Sequence, residues 1–289
     1  SRQSDCCPSL GSSGSREGAV LMATKIRTLL RSADALAKSV DALAIISFLP
    51  KEMDLKLETP TVHVSDIQPD ILRDGSMLAL LDYCSNHIID AVVQYRILTK
   101  ENHGTVVAVF PYALLIYDLE ATNSEFTAES LADLADPAVI HAVLSLALEI
   151  AHDGREGRAI GTAFIIGDIE ELKRWSHQGV LNPYAGHPAE VRDVKQRMNW
   201  ESVKEFSQLD GVFIIGKDGI VEAAGRYLDA DSRDVNLQSG LGGRHLATAA
   251  ITKVTPSVGI VVSESGGIIR IFAGGKVVAH IRTDIRVEF

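Results

Sequence analysis

The sequence has little cysteine and few aromatic residues. Its 289 residues include three cysteines, and Phe, Trp and Tyr together make up 6% of the chain. Cys6 and Cys7 are adjacent and Cys84 stands alone, which supports neither a disulfide framework nor a CxxC metal site. We therefore expect a reducing compartment, in the simplest case the cytoplasm.

Positive charge and long apolar runs are also scarce. Lys and Arg number 28 against 38 Asp and Glu, a net charge of −10, which argues against a surface that covers duplex nucleic acid or an anionic membrane. A local basic cluster can still bind phosphate. The apolar runs at 42–48, 105–110 and 258–262 are far shorter than the roughly 20 residues of a membrane helix. We expect a soluble globular protein with one large or two modest cores.

Several catalytic signatures are absent. The chain contains neither a GxxxxGK(S/T) phosphate loop nor a GxGxxG dinucleotide fingerprint. Its histidines show neither HxH nor HExxH spacing, so a packed or solvated histidine is the better interpretation of each. The sequence therefore gives no support for a P-loop, a dinucleotide-binding fold or a histidine-based zinc site.

The pattern of apolar residues predicts two α/β domains. Residues 1–21 are rich in Ser and Gly, and we interpret them as a disordered extension or a remnant of an expression vector. In residues 22–130, helical and strand patterns alternate, which is typical of an α/β domain with a mostly parallel sheet. The polar segment 123–136 ends at Pro137, and we place the boundary there. Residues 131–289 form the second domain, with predicted helices and strands at 137–152, 161–167, 169–178, 200–209 and 211–216.

Hairpin signals in the second domain predict antiparallel strands beside the parallel ones. Asp218-Gly219 lies between two apolar runs, and a second hairpin is expected at 266–267 or 274–275. We therefore expect an α/β fold whose mixed central sheet is flanked by helices.

Two loops of this domain place polar groups where a strand or a helix begins. Asp210-Gly211 opens a strand, where the glycine allows close approach of backbone and the carboxylate can face a ligand. Gly240, Gly242 and Gly243 precede a helical pattern, whose free N–H groups and dipole attract phosphate. Taken alone, the first is more often a turn and the second a flexible loop with a solvated arginine and a packed histidine.

The order of these loops, followed by Ser263-Glu264 at a strand end, resembles the diadenylate cyclase family. That family carries an Asp-Gly-Ala and an Arg-His-Arg motif, and this chain has Asp210-Gly211-Val212 and Arg244-His245-Leu246. The resemblance includes the segments 161–168, 182–183, 225–228, 249–252 and 261–264. The preceding α/β domain resembles that of archaeal-type diadenylate cyclases, which is similar to the carboxy-terminal domain of pyruvate kinase.

The resemblance implies the site residues and the reaction. Asp210, Arg244 and His245 would be catalytic, and Asp210 and Glu264 would hold Mn²⁺ or Mg²⁺ near the ribose 3′-hydroxyl of ATP. Two ATP molecules would give cyclic di-AMP and two pyrophosphates, in a homo-oligomer whose cyclase domains face each other. The first domain would serve oligomerisation or regulation. The implied ATP-binding residues are Gly211, Val212, Tyr227, Leu228, Gly242, Gly243, Arg244, His245, Leu246, Ala247, Ser263 and Glu264.

Two departures from the family pattern remove phosphate donors. Leu246 replaces the second arginine of the motif, and Gly243 replaces a threonine. Loss of one charge-assisted contact costs about 1.5–3 kcal/mol. A weakened or inactive sensor that binds ATP or cyclic di-AMP is therefore an alternative, and a scaffold with purely structural loops is another.

Overall fold

The computed structural model describes residues 13–49, 55–65, 77–111, 113–121, 128–154, 158–233, 235, 237, 240–264 and 267–289. The described residues fall into two compact units, one within 1–69, 103–121 and 287–289 and the other within 70–102 and 122–286. None of the helices in these described ranges is both long and apolar enough to cross a membrane.

Among its described residues, the first unit has one α-helix, a short 3-10 helix at Leu119–Ala121 and a five-stranded sheet. Its elements are α1 (Ser13–Ser39), β1 (Ala44–Ser47), β2 (Thr61–Ser65), β3 (Thr105–Phe110), β4 (Ala113–Asp118) and the short β12 (Arg286–Glu288). The strand order is β12-β2-β1-β3-β4, with β2 and β3 parallel to β1 and β4 antiparallel to β3. The predicted α/β fold with a mostly parallel sheet is confirmed for this unit, whereas residues 70–102, predicted in the first domain, belong to the second compact unit.

Helix α1 covers this sheet with residues spaced at three- and four-residue intervals. Ile26, Leu30 and Ala33 are buried in one cluster with Val107 and Val109 of β3, as expected for an amphipathic helix on a sheet. The helix begins at Ser13, so it extends into the segment 1–21 that was predicted to be disordered. Glycines and serines there weaken the helical pattern, and residues 1–12 lie outside the described part.

The second unit has a seven-stranded mixed sheet. Its order is β11-β10-β9-β5-β7-β8-β6, with β5 and β7 parallel and the other recorded pairs antiparallel. The strands are β5 (Thr162–Gly167), β6 (Ser176–Gln178), β7 (Val212–Gly216), β8 (Val221–Leu228), β9 (Val258–Val262), β10 (Ile268–Ala273) and β11 (Lys276–Arg282). The helices are α2 (Met77–Thr99), α3 (Pro137–Asp153), α4 (Ile169–Arg174), α5 (Trp200–Phe206) and α6 (Gly243–Val254).

Helices cover the sheet with two separate apolar clusters, which confirms the predicted mixed sheet flanked by helices. One cluster joins α3 to residues such as Phe164 and Phe213. The other joins α6 to residues such as Ile165 and Ile214, the sequence neighbours that point to the opposite face. Helix α6 is thereby fixed beside β5 and β9.

Both predicted hairpin regions connect antiparallel strands. Asp218-Gly219 lies in the turn between β7 and β8. Gly274 and Gly275 connect β10 to β11 with φ angles of 58° and 81°, the two positive values that a type I′ turn requires.

One predicted helix, at 169–178, is too long. Helix α4 ends at Arg174, and Ser176–Gln178 pairs with β8 as an edge strand. Arg226 of β8 holds this strand, since its guanidinium donates to the hydroxyl and the carbonyl of Ser176. These long-range hydrogen bonds replace those of a further helical turn.

Candidate active site

A cleft of about 300 Å³ opens where α6 begins and β9 ends. It combines the glycine-rich loop with the Ser-Glu pair, two stretches that are distant in the sequence. Because β5 and β9 pair in antiparallel directions, Gly161, the residue before β5, lies beside the end of β9. The cleft is lined by Gly161, Gly240, Leu241, Gly242, Gly243, Arg244, His245, Val261, Val262, Ser263, Glu264 and Arg270.

The glycine-rich loop leaves space at the amino terminus of α6. Gly242 is the N-cap residue, and as a glycine it has no side chain that could accept a hydrogen bond from the first turn. A Cβ atom added at Gly242 or Gly243 would meet nothing within 4 Å. Uncapped N–H groups and the helix dipole favour an anion here, so this loop has the features of a phosphate site.

Arg244 connects the loop to the other two stretches. Its Nη2 atom lies 3.5 Å from Oδ1 of Asp210. A Cβ on Gly161 would lie 3.4 Å from Nη1 of Arg244 and 2.9 Å from Cβ of Glu264. The fold therefore brings Asp210 and Glu264 close to Arg244, and these three residues were predicted to act together.

The Asp-Gly pair has a backbone that only glycine fits. Gly211 has a φ angle of 97°, and a Cβ there would lie 2.6 Å from the carbonyl oxygen of Arg226. The side chain of Asp210 is 80% exposed. The close backbone packing thus fixes the loop while the carboxylate stays accessible to a ligand.

His245 lines the cleft but is buried. Its ring contacts Phe272 edge-to-face at 6.2 Å, and Nε2 lies 3.5 Å from Nη1 of Arg270. Burial first, and then the charge of Arg270, lowers the pKa of His245. The histidine is therefore neutral near pH 7, and its catalytic assignment stays a prediction.

Tyr227 and Leu228, the predicted adenine contacts, are not among the residues that line this cleft. Tyr227 is 42% exposed, and its ring stacks on His177 with centroids 5.7 Å apart. A Cβ on Gly179 would lie 2.0 Å from this ring. Leu228 instead packs against the cluster under α6, because neighbouring strand residues face opposite sides.

Four other predicted ATP ligands, Gly211 among them, and the predicted catalytic residue Asp210 are also not part of the cleft lining. Val212 is buried among core residues, and Leu246 and Ala247 are half-buried in the first turns of α6. Sequence reasoning missed Arg270, which brings a second cation into the cleft. A charged residue inside the apolar strand 268–273 was the available signal.

Asp210 and Glu264, the predicted metal ligands, are the carboxylates near Arg244. No group of three or more His, Cys, Asp or Glu side chains in the described part of the chain is placed to hold an ion. Mg²⁺ usually takes one or two protein carboxylates and completes its shell with substrate phosphates and water. Asp210 and Glu264 have the hard oxygen ligands that such a shared site needs.

Two protein families match this chain. Residues 149–277 match the family described as DisA bacterial checkpoint controller nucleotide-binding. Residues 28–120 match the family described as probable sensor domain DacZ_A. The first match contains the whole cleft, and the predicted boundary near residue 130 lies between the two matches.

Curated relatives carry the name diadenylate cyclase. One from Methanocaldococcus jannaschii is 45% identical over 146 residues, 50% of this chain and 45% of that protein. One from Haloferax volcanii is 37% identical over 166 residues, 57% of each chain. The chain thus spans about half the length of the curated relatives it matches.

This chain is also similar to a solved structure of DacA from Staphylococcus aureus. The match spans 52% of this chain and 86% of the DacA chain, with 19% sequence identity and a TM-score of 0.35. The family and curated matches confirm the resemblance to archaeal-type diadenylate cyclases that the motifs indicated.

Proposed function

Since residues 149–277 match a nucleotide-binding family and the relatives are named diadenylate cyclases, we propose that this chain condenses two ATP molecules into cyclic di-AMP. The observation that supports this best is the convergence on Arg244 of an exposed carboxylate, an open glycine loop and a glutamate. Triphosphate recognition needs cations and N–H groups, and hydroxyl activation needs a carboxylate.

The reaction assigns a role to each group of residues. The amino terminus of α6 and the Arg244 guanidinium bind the triphosphate, and Arg270 adds positive charge at the same cleft. Asp210 faces the ribose 3′-hydroxyl and favours its deprotonation. A divalent ion, Mn²⁺ or Mg²⁺, held by Asp210, Glu264 and the phosphates, supplies charge stabilisation when bound.

One chain carries one set of these residues, so the reaction requires two chains. The 3′-oxygen of each ATP attacks the α-phosphorus of the other, and each attack expels one pyrophosphate. Both attacks need cyclase domains that face each other, and we propose a homo-oligomer with the first unit as an oligomerisation or regulatory unit. Sedimentation with and without ATP, at the concentrations used for assays, tests this requirement.

A sensor without catalysis is the second candidate. It is favoured by Leu246, which replaces the second arginine of the motif and does not line the cleft. A sensor would bind ATP or cyclic di-AMP and form no product.

Two measurements on the purified chain separate the candidates. An enzyme or a sensor should be protected against heating by ATP or cyclic di-AMP, since a ligand that binds only the folded state raises its stability. A scaffold with purely structural loops should show no such protection. Chromatography of the nucleotides after incubation with ATP and Mn²⁺ or Mg²⁺ then separates enzyme from sensor. Formation of cyclic di-AMP that stops when EDTA is present supports the proposal. Protection against heating without any product contradicts it.

A further inference from the structure

A second cleft, which encloses about 50 Å³ and opens to solvent, lies in the second unit and shares no residue with the one at Arg244. Its walls are largely apolar and come from α2, α3 and β11, together with one residue that follows α2 and one that precedes α3. Val93, Ile97, Ala128, Leu144, Ala279 and Ile281 provide the apolar part.

The polar residues of this cleft include a buried arginine. Arg96 is 9% exposed, and its Nε donates to Oδ1 of Asn102 at 3.4 Å. Both residues line the cleft. Among the described residues no carboxylate lies within ion-pair distance of Arg96. A buried cation without a counter-ion is costly, so this guanidinium has the features of one half of an ion pair.

His141 lines the cleft beside this arginine and adds no charge. It is 8% exposed, and its buried Nδ1 has no hydrogen-bond partner. Its Nε2 lies 3.7 Å from Oε1 of Glu129, whose side chain is 55% exposed and does not line the cleft. Burial lowers the pKa of His141, and Lys100 lowers it further, against the opposing effect of Glu129.

From these contacts we infer that this cleft binds a small carboxylic acid with a short apolar chain. The carboxylate pairs with Arg96, whose planar guanidinium suits two oxygen atoms, and the chain packs between Ile97 and Leu144. Among the described residues that line the cleft, Arg96 is the one arginine or lysine, and the other polar residues are Asn102, His141 and His280. One guanidinium matches the single charge of a carboxylate better than the two charges of a phosphate monoester. The occupant is thus distinct from the nucleotide proposed for the other cleft.

Hexanoate is a suitable probe, and hexanamide is its neutral control. Calorimetric titration of the full chain should give one saturable site for hexanoate and binding at least about tenfold weaker for hexanamide, because the charge-assisted pair is lost. Inorganic phosphate should bind more weakly than hexanoate. Equal affinity for hexanoate and hexanamide, or no saturable binding of hexanoate, would overturn the inference.

Variants locate the site. Arg96→Gln should weaken hexanoate binding at least about tenfold, whereas Arg174→Gln, at an exposed arginine of α4, should leave it unchanged. Ala279→Leu, at a half-buried strand residue, fills the cleft and should abolish binding even if Arg96→Gln does not fold.

The nucleotide cleft provides the remaining control. Arg244→Ala, or a saturating non-hydrolysable ATP analogue, should leave hexanoate binding unchanged. If Arg244→Ala abolished hexanoate binding and Ala279→Leu kept it, hexanoate would bind in the nucleotide cleft. That result would refute the assignment. Because the readout is binding alone, it does not depend on whether the chain forms cyclic di-AMP.

Discussion

Two Asp-Gly dipeptides of the second unit, Asp210-Gly211 and Asp218-Gly219, have similar glycine backbones and different surroundings. Gly211 and Gly219 have φ angles of 97° and 94°. The Asp218 carboxylate accepts a hydrogen bond from the N–H of Ile220 at 3.1 Å and closes the β7–β8 turn. The Asp210 carboxylate faces Arg244 instead. At these two positions the glycine backbones are alike, and the loop opposite each dipeptide determines whether its carboxylate is available for chemistry.

Replacement of Asp210 or of Asp218 by asparagine should give the largest difference in activity between the two Asp-Gly sites. Asp210→Asn should lower cyclic di-AMP formation at least about 100-fold, because an amide keeps the shape but neither holds the metal nor polarises the hydroxyl. Asp218→Asn should stay near the parental rate, because asparagine also accepts the turn hydrogen bond. Initial rates with ATP measure both. Parental turnover by Asp210→Asn would show that its metal role is wrong.

Alanine at each glycine compares the same pair at the backbone. In Gly211→Ala the new Cβ meets the Arg226 carbonyl at 2.6 Å, whereas in Gly219→Ala the nearest atom is a Val139 methyl at 3.1 Å. Each positive φ costs about 1–3 kcal/mol for alanine. We expect urea unfolding to show the larger loss for Gly211→Ala, and product formation to fall in that variant alone. If the two variants lost equal stability and equal product formation, the contact with the Arg226 carbonyl would be unimportant.

Arg244→Ala tests the partner that distinguishes Asp210 from Asp218. Removing the guanidinium should weaken binding of a non-hydrolysable ATP analogue about 10- to 100-fold, equivalent to about 1.5–3 kcal/mol. Stability should change little, since the arginine is 30% exposed and leaves no cavity. Calorimetric titration beside Arg174→Ala, at an exposed arginine, measures the difference. Unchanged affinity would mean that the glycine loop is not the phosphate site.

Leu246→Arg is expected to have no larger an effect than Arg244→Ala, and its result is informative in either direction. If the leucine is a lost phosphate contact, the arginine should strengthen nucleotide binding by up to about 1.5–3 kcal/mol and raise product formation. If α6 has repacked around an apolar side chain, an unpaired cation should lower the melting temperature. Leu246→Gln controls for polarity without charge. A less stable, no more active variant would contradict the view that Leu246 is a degraded phosphate contact.

The sequence predicted local features well and long-range ones poorly. The hairpins at Asp218-Gly219 and Gly274-Gly275 follow from residues that tolerate the required backbone. The edge strand at Ser176–Gln178 was predicted as helix because its pairing with β8 depends on residues far along the chain. Arg270 was missed for the same reason, since it reaches the cleft through the antiparallel pairing of β10 with β9.

The proposed site was predictable as three loops in a fixed order, and its geometry was not. Which of those loops meet depends on sheet order, and β5 lies between β9 and β7 only in the folded chain. The opposite directions of Tyr227 and Leu228 follow from strand geometry. Their assignment to one adenine face came from the family pattern and stays a prediction.

The most direct test is the stoichiometry of the reaction with ATP. Purified chain is incubated with ATP and Mn²⁺ or Mg²⁺, and cyclic di-AMP and pyrophosphate are both quantified over time. The account predicts two pyrophosphates for each cyclic di-AMP, and no cyclic product when 3′-deoxy-ATP replaces ATP, because that analogue lacks the attacking oxygen. Pyrophosphate release without a cyclic dinucleotide, or nucleotide binding with no turnover at any protein concentration, would contradict it.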